Sequence, residues 1–479
     1  MARTARALLL TLGLIVTALA GCLTPDGRDL APGATVVPRV DGLLPISIAN
    51  VMGFTQQIVE PAVGLGNDLY EPTLEVSDTG TLYVAAHVVG AATTGTPAYV
   101  SRDDGATWTP LPFLGPVAAP SPLQGATPPP GDEGFIVAGE NGQAWMADIY
   151  AAGFSVTGWC DDGASQCYDD RQAYDRAEST TTCTPMSLND RPWAAYASGT
   201  LLLVNNPGGG PMQIGVMDVP PAAPVGIVGV NGPTWNMCAS EGGSIPGVPA
   251  MRADGLFAVP QMDGSGEDQV LNVVIGNKED IFAVETKTVF PVTSAGGGTS
   301  NGGRTAFDRE GTLFVGARNN TLKEEVPGDI LNGGFTIADE GRFILAVSTD
   351  GGQTFQNATF ATGTPVRSLY LDGNMFGRGA LLTWSQLGDD EDHSDWYVAH
   401  LFAGPDGEPL VQDVTLAVDE GPHSSAHVMG AAAGPDGRAY FLNFQDEADP
   451  AKYTGSSPIS VWIQQGGVTL PIEAEAVEG

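Results

Sequence analysis

Apolar residues along this chain come in short runs, and polar turns ending in glycine separate them. The stretch "EVSDTGTLYVAAHV" shows the form, with Gly80 closing a turn before an apolar strand. The same order returns in "AFDREGTLFVGARN" around Gly311 and in "AAGPDGRAYFLNF" around Gly437. Weaker copies, "VAGENGQAWMADI", "AAYASGTLLLVNN", "AMRADGLFAVPQ" and "NMFGRGALLTWSQ", put turn glycines at Gly142, Gly199, Gly255 and Gly379. The units recur at roughly sixty residues, long enough for about four short strands each. Beyond the N-terminal segment no stretch carries a long helical period with caps, so the class is all-β.

The chain has 479 residues, and its 64 glycines and 36 prolines supply turns at the density such strands need. Repeats of this length can bury both faces of a sheet by radial stacking, and closing the ring leaves few free edges. The expected fold is therefore a β-propeller of four-stranded antiparallel blades, seven in number, with six as the alternative.

Two segments add a shorter pattern. "VSRDDGATWTPL" carries Ser101, Asp103, Gly105 and Trp108, and "VSTDGGQTFQNA" carries Ser348, Asp350, Gly352 and Phe355 at matching offsets. The aspartates can accept backbone N–H groups across a tight turn, the glycines permit positive φ, and the aromatic rings can pack between sheets. S-x-D-x-G-x-[TS]-[WF] resembles the Asp-box, or BNR repeat, of sialidases and other propellers, and "NDRPWAAYASGTLLLVNN" resembles a blade opening of sialidase-like surface proteins. The resemblance covers most of residues 70 to 472 and implies a structural staple between the outer strands of a blade.

Sialidases hold the substrate carboxylate with three arginines and attack with a tyrosine paired to a glutamate. Their first arginine opens the first blade, where this chain reads "YEPTLEV" and has Glu71. A carboxylate there repels a carboxylate substrate. Arg191, Arg304 and Arg367 open other inner strands and form a candidate ligand clamp if they converge, against the alternative that each pairs with a nearby acid. Tyr196 and Tyr370 are the nearest tyrosines, and both read as buried strand aromatics.

The first residues, "MARTARALLLTLGLIVTALAGC", are an export signal by their arginines and short apolar run. Small residues before Cys22 resemble the lipobox of bacterial-type lipoproteins, which implies lipid on Cys22 and a location outside the cell membrane or in the envelope. Residues 1–22 are then signal, 23–46 a flexible Pro- and Gly-containing tether, and 47–479 one domain.

Four cysteines remain, Cys160, Cys167, Cys183 and Cys238, and an even count in an exported chain favours two disulfides. Three connectivities are open; Cys160 with Cys167 and Cys183 with Cys238 is the one adopted. No C-x2-C pair suggests zinc.

Only 16% of residues are charged, yet the formal net charge is -36. Such a field excludes nucleic acid as a partner and favours a soluble monomer. Acidic turns at Asp161, Asp162, Asp169, Asp170 and Asp175, and at Asp389, Asp390, Glu391, Asp392 and Asp395, suit Ca2+ or simple solvation, and neither matches an EF-hand loop. His423 and His427 sit in a segment rich in glycine, proline and serine, where no helix would align them. No phosphate-binding loop or serine elbow is present, and no cofactor is required. These readings favour a lipid-anchored sialidase-like propeller that binds a glycan or protein without catalysis. The alternatives are an exo-α-sialidase or related hydrolase of an acidic sugar, and a structural part of a cell-surface assembly.

Overall fold

The structure is a computed structural model. It describes residues 39–59, 69–88, 96–111, 134–150, 153–170, 189–207, 212–219, 237–241, 246–263, 269–292, 303–326, 335–338, 340–388, 393–421, 430–444 and 459–472. All regular structure among them is strand, in seven four-stranded antiparallel blades. Blade 1 is β3(Leu69–Val76), β4(Leu82–Val88), β5(Ala98–Ser101) and β6(Thr109–Pro110). Blade 2 is β7(Gly134–Ala138), β8(Ala144–Tyr150), β9(Gly153–Cys160) and β10(Ser165–Asp170). Blade 3 is β11(Asn189–Ala197), β12(Thr200–Pro207), β13(Met212–Asp218) and β14(Met237–Glu241), and blade 4 is β15(Ala250–Met251), β16(Leu256–Asp263), β17(Val270–Asn277) and β18(Asp280–Pro291). Blade 5 is β19(Arg304–Phe307), β20(Leu313–Arg318), β23(Gly341–Ser348) and β24(Gln356–Gly363), with the hairpin β21(Leu322–Val326) and β22(Phe335–Ala338) inserted after its second strand. Blade 6 is β25(Val366–Gly373), β26(Ala380–Leu387), β27(Ser394–Ala403) and β28(Pro409–Gly421).

Blade 7 is completed by the other end of the chain. β29(Ala431–Ala433), β30(Ala439–Phe444) and β31(Ile459–Gly467) supply three strands, and β2(Met52–Val59) pairs antiparallel with β31 as the fourth. Upstream, β1(Arg39–Pro45) pairs parallel with β24 as a fifth strand on blade 5. Between β1 and β2 the chain crosses blade 6, where Ala49 N–H and Asn50 N–H both donate to Val414 O. Residues 39–59 thus strap three blades together. Part of the segment expected to be a tether is ordered strand, because the open edge of β24 supplies the backbone partners.

The strands form this ring because alternate residues face opposite neighbours. In β4, Leu82, Val84 and Ala86 pack toward blade 7, while Tyr83 and Ala85 pack toward blade 2. In β12, Leu201 and Leu203 face blade 2, and Leu202 and Val204 face blade 4. Both sides of each sheet are therefore buried, which explains strands that read as continuous apolar runs. The turn glycines 80, 142, 199, 255, 311, 379 and 437 all join a first to a second strand, with φ between 67° and 88°. A side chain disfavours that backbone region, so glycine marks each blade in the sequence.

The two Ser-Asp-Gly segments sit between the third and fourth strands of blades 1 and 5 and make the same bonds. Asp103 accepts from Thr107 N–H at 2.9 Å and Thr107 Oγ1 at 2.6 Å; Asp350 does likewise with Thr354 at 2.9 Å and 2.6 Å. Ser101 Oγ and Ser348 Oγ accept from Gly105 N–H and Gly352 N–H, each at 2.8 Å. These contacts hold both carboxyls below the usual carboxylate range: Thr107 is the main cause at Asp103, and at Asp350 the Thr354 and Ser348 hydrogen bonds outweigh the upward push of burial. Phe355 is buried in the core between blades 4 and 5, while Trp108 is half-buried against that of blades 1 and 7.

Acidic side chains also tie blade to blade. Asp78 accepts from Asn141 N–H and Gly142 N–H at 2.9 Å each, and Asp308 accepts from Gly379 N–H at 2.8 Å. Asp162 accepts from Thr79 Oγ1 at 2.5 Å and Thr81 Oγ1 at 2.9 Å. Cys160 and Cys167 form a disulfide across the β9–β10 turn. Cys183 lies outside the described residues, so the second pairing falls there too.

Candidate binding site on the propeller axis

Seven first strands surround the axis, and their starts and ends form two mouths of different chemistry. Arg304, at the start of β19, is 2% exposed and reaches the middle of the ring. Its guanidinium carbon lies 5.7 Å from the Trp193 ring of blade 3 and 5.3 Å from the Tyr370 ring of blade 6, and Nη1 donates to Gly303 O at 3.0 Å. Trp193 is held by its indole N–H, which donates to Pro246 O at 3.1 Å, and by edge contact with Phe135. Cation–π contact with the two rings gives the buried charge partners that water does not provide there.

Arg367 is half-buried at the blade 5–6 boundary, where its carbonyl accepts from Arg318 Nη1. Burial, reinforced by the Arg367 charge, pulls Arg318 down to about 10. Arg318 and Arg304 line one crevice with Met262 and Leu369. Arg191 is in β11, but its side chain and that of Glu71 lie outside the described residues. The structure adds Arg318 beside Arg304 and Arg367, which sequence reading passes over because it ends a strand instead of opening one.

Beyond the stack, toward the seven turn glycines, lies a cavity of about 300 Å³. Glu75 of blade 1 and Asp372 of blade 6 both line it and are half-buried. Each reaches the next blade: Asp372 accepts from Ala433 N–H at 2.8 Å, and Glu75 accepts from the Ala138 N–H. Burial raises both carboxyls, Asp372 to about 7, and the Asp372 charge raises Glu75 further. Tyr370, 3% exposed, lines the same space, and its phenol is pushed far up by burial and by Glu75. Tyr196 is on the wall too, its hydroxyl accepting from Gly199 N–H at 3.1 Å. No sequence motif singles out Glu75 or Asp372.

Three or more His, Cys, Asp or Glu side chains gathered for a metal do not occur among the described residues. Asp175, Asp389, Asp390, Glu391, Asp392, His423 and His427 lie outside them.

Solved structures similar to this chain include the phage phi92 endosialidase, 12% identical with a TM-score of 0.42, covering 91% of this chain and 72% of that one. The intramolecular trans-sialidase from Ruminococcus gnavus is 13% identical with a TM-score of 0.43, covering 85% and 96%. The alpha-L-arabinanase of Penicillium chrysogenum is 14% identical with a TM-score of 0.35, covering 72% and 97%. No family model matches the chain, and no curated protein matches it.

Proposed function

We propose that this chain is a lipid-anchored, extracytoplasmic, sialidase-like propeller that binds a glycan or protein ligand without cleaving it. The observation that carries the reading is the Arg304 stack. Arg304 is 2% exposed, its guanidinium packed against the Trp193 and Tyr370 rings with Nη1 on Gly303 O, and that burial keeps it from an incoming substrate carboxylate. A rigid ring of blades suits loop-borne recognition.

A second reading, hydrolysis of an acidic sugar, is favoured by Arg318, which pairs with no carboxylate among the described residues and sits beside Arg367. Turnover of a fluorogenic sialoside separates the two. The soluble chain beginning after Cys22 is expected to release no fluorophore while retaining its β-sheet circular dichroism. Release that Arg318→Ala abolishes in a folded protein would establish the hydrolase instead.

The anchor has its own test. Cys22→Ser is expected to move the protein from the membrane pellet to the soluble fraction; unchanged partition would remove lipid from the account.

A further inference from the structure

The cavity at the hairpin end of the axis combines an apolar wall with an acidic pair. Phe135, Met251, Phe307, Leu371 and Phe376 form the wall, and Glu75 and Asp372 face the same space. At about 300 Å³ it is at the small end of ligand cavities. The Tyr370 side chain is 3% exposed and aimed into it, and its hydroxyl makes no hydrogen bond among the described residues. A hydroxyl that borders the cavity without a protein partner leaves a hydrogen bond for a ligand atom to make. The acidic pair repels anions. Two carboxyls and a phenol against aromatic and aliphatic walls fall short of the six to eight oxygens that Ca2+ takes.

We propose that this cavity binds an organic ammonium ion, with the nitrogen between Glu75 and Asp372, one N–H on the Tyr370 oxygen, and the hydrocarbon body on the Phe135 and Phe307 side. Ammonium offers three donors to these three acceptors, and its charge offsets that of the carboxylates. The site lies at the opposite end of the axis from the strand starts that carry the arginines, so it stands whether or not the chain cleaves a glycan.

Several charged groups face the pocket. They are Glu75 on β3, Asp372 and Tyr370 on β25, Arg304 on β19 behind the Tyr370 ring, and Asp78 and Glu140 at the rim with Tyr196 on β11. Asp78 is occupied by the Asn141 and Gly142 N–H groups, which leaves the Glu75–Asp372 pair as the charge that must ionise. Affinity is therefore expected to rise severalfold between pH 6 and pH 8.

The test is calorimetric titration of the purified full-length protein at pH 8 with 2-phenylethylammonium, its neutral counterpart 2-phenylethanol, and CaCl2. Saturable binding of the ammonium, at least tenfold tighter than the alcohol, is expected. Asp372→Asn and Glu75→Gln should each weaken it at least tenfold, and Tyr370→Phe severalfold. A thermal melt of Asp372→Asn no lower than the parent's shows that this loss is not unfolding. No ammonium binding, equal binding of the alcohol, binding unchanged in a folded Asp372→Asn protein, or Ca2+ taken up in preference to the ammonium would overturn the proposal.

Discussion

A chain cut to begin at residue 60 is expected to lose blade 7 cooperatively, while one beginning at residue 47 keeps it. The longer form retains β2, whose Met52 and Val59 are buried at 6% and 0% exposure and whose Phe54 meets Phe441 edge-on at 5.4 Å. Burial of two such side chains contributes about 3–6 kcal/mol, a large part of a typical total of about 5–15 kcal/mol. Removing the strand also opens the whole of β31 as a free edge. Cutting at residue 47 removes only β1 and the partly buried Leu44 and Ile46, at about 1–2 kcal/mol. Thermal melts and limited proteolysis of the two forms decide the matter; equal midpoints would show that β2 is not the closing strand.

Asp372→Asn is expected to stabilise the protein at pH 8, on the order of 2 kcal/mol or more, with the gain shrinking as pH falls toward 5. The sign follows from the raised carboxyl. Folded Asp372 titrates at about 7, whereas an unfolded aspartate titrates near about 3.9. Between those values the folded state holds the extra proton, so stability falls as pH rises and the loss is complete once pH passes about 7. Asparagine removes the charge and can still accept from Ala433 N–H. His400, packed against Asp413 at 3.0 Å and lowered mainly by burial, works in the opposite direction below about pH 6.5, but it is common to both proteins and cancels in the difference. A melting difference that does not change with pH would sink the assignment.

Much of the ring is legible in the residues because its demands are local. A hairpin that needs positive φ leaves a glycine, so Gly80, Gly142 and their five counterparts mark the blades one by one. The Ser101 and Ser348 turns are legible for a similar reason, since their hydrogen bonds close within a few residues. What escapes is set by distant partners. "RVDGLLP" has a glycine, a proline and no clear alternation, and it becomes β1 only because β24, more than 300 residues later, offers an edge. Glu75 reads as one polar residue in an alternating strand; its meaning comes from Asp372, nearly 300 residues away and two blades round the ring. Arg304 is visible as a strand opener, but nothing near it in sequence foretells the Trp193 and Tyr370 rings against its guanidinium.

The strap also sets the order in which the ring can form. β2 is among the first strands in the chain, and its partner β31 spans residues 459–467. Hairpins within blades 1 to 6 can pair as soon as their own residues are present, whereas the ends of a loop of roughly 400 residues must meet before blade 7 exists. Closure is therefore the late, slow step, and contacts so distant in sequence place this fold among slow folders. A chain that stops anywhere short of residue 459 leaves β2 unpaired, which makes β2 a check on whether synthesis has reached the last blade.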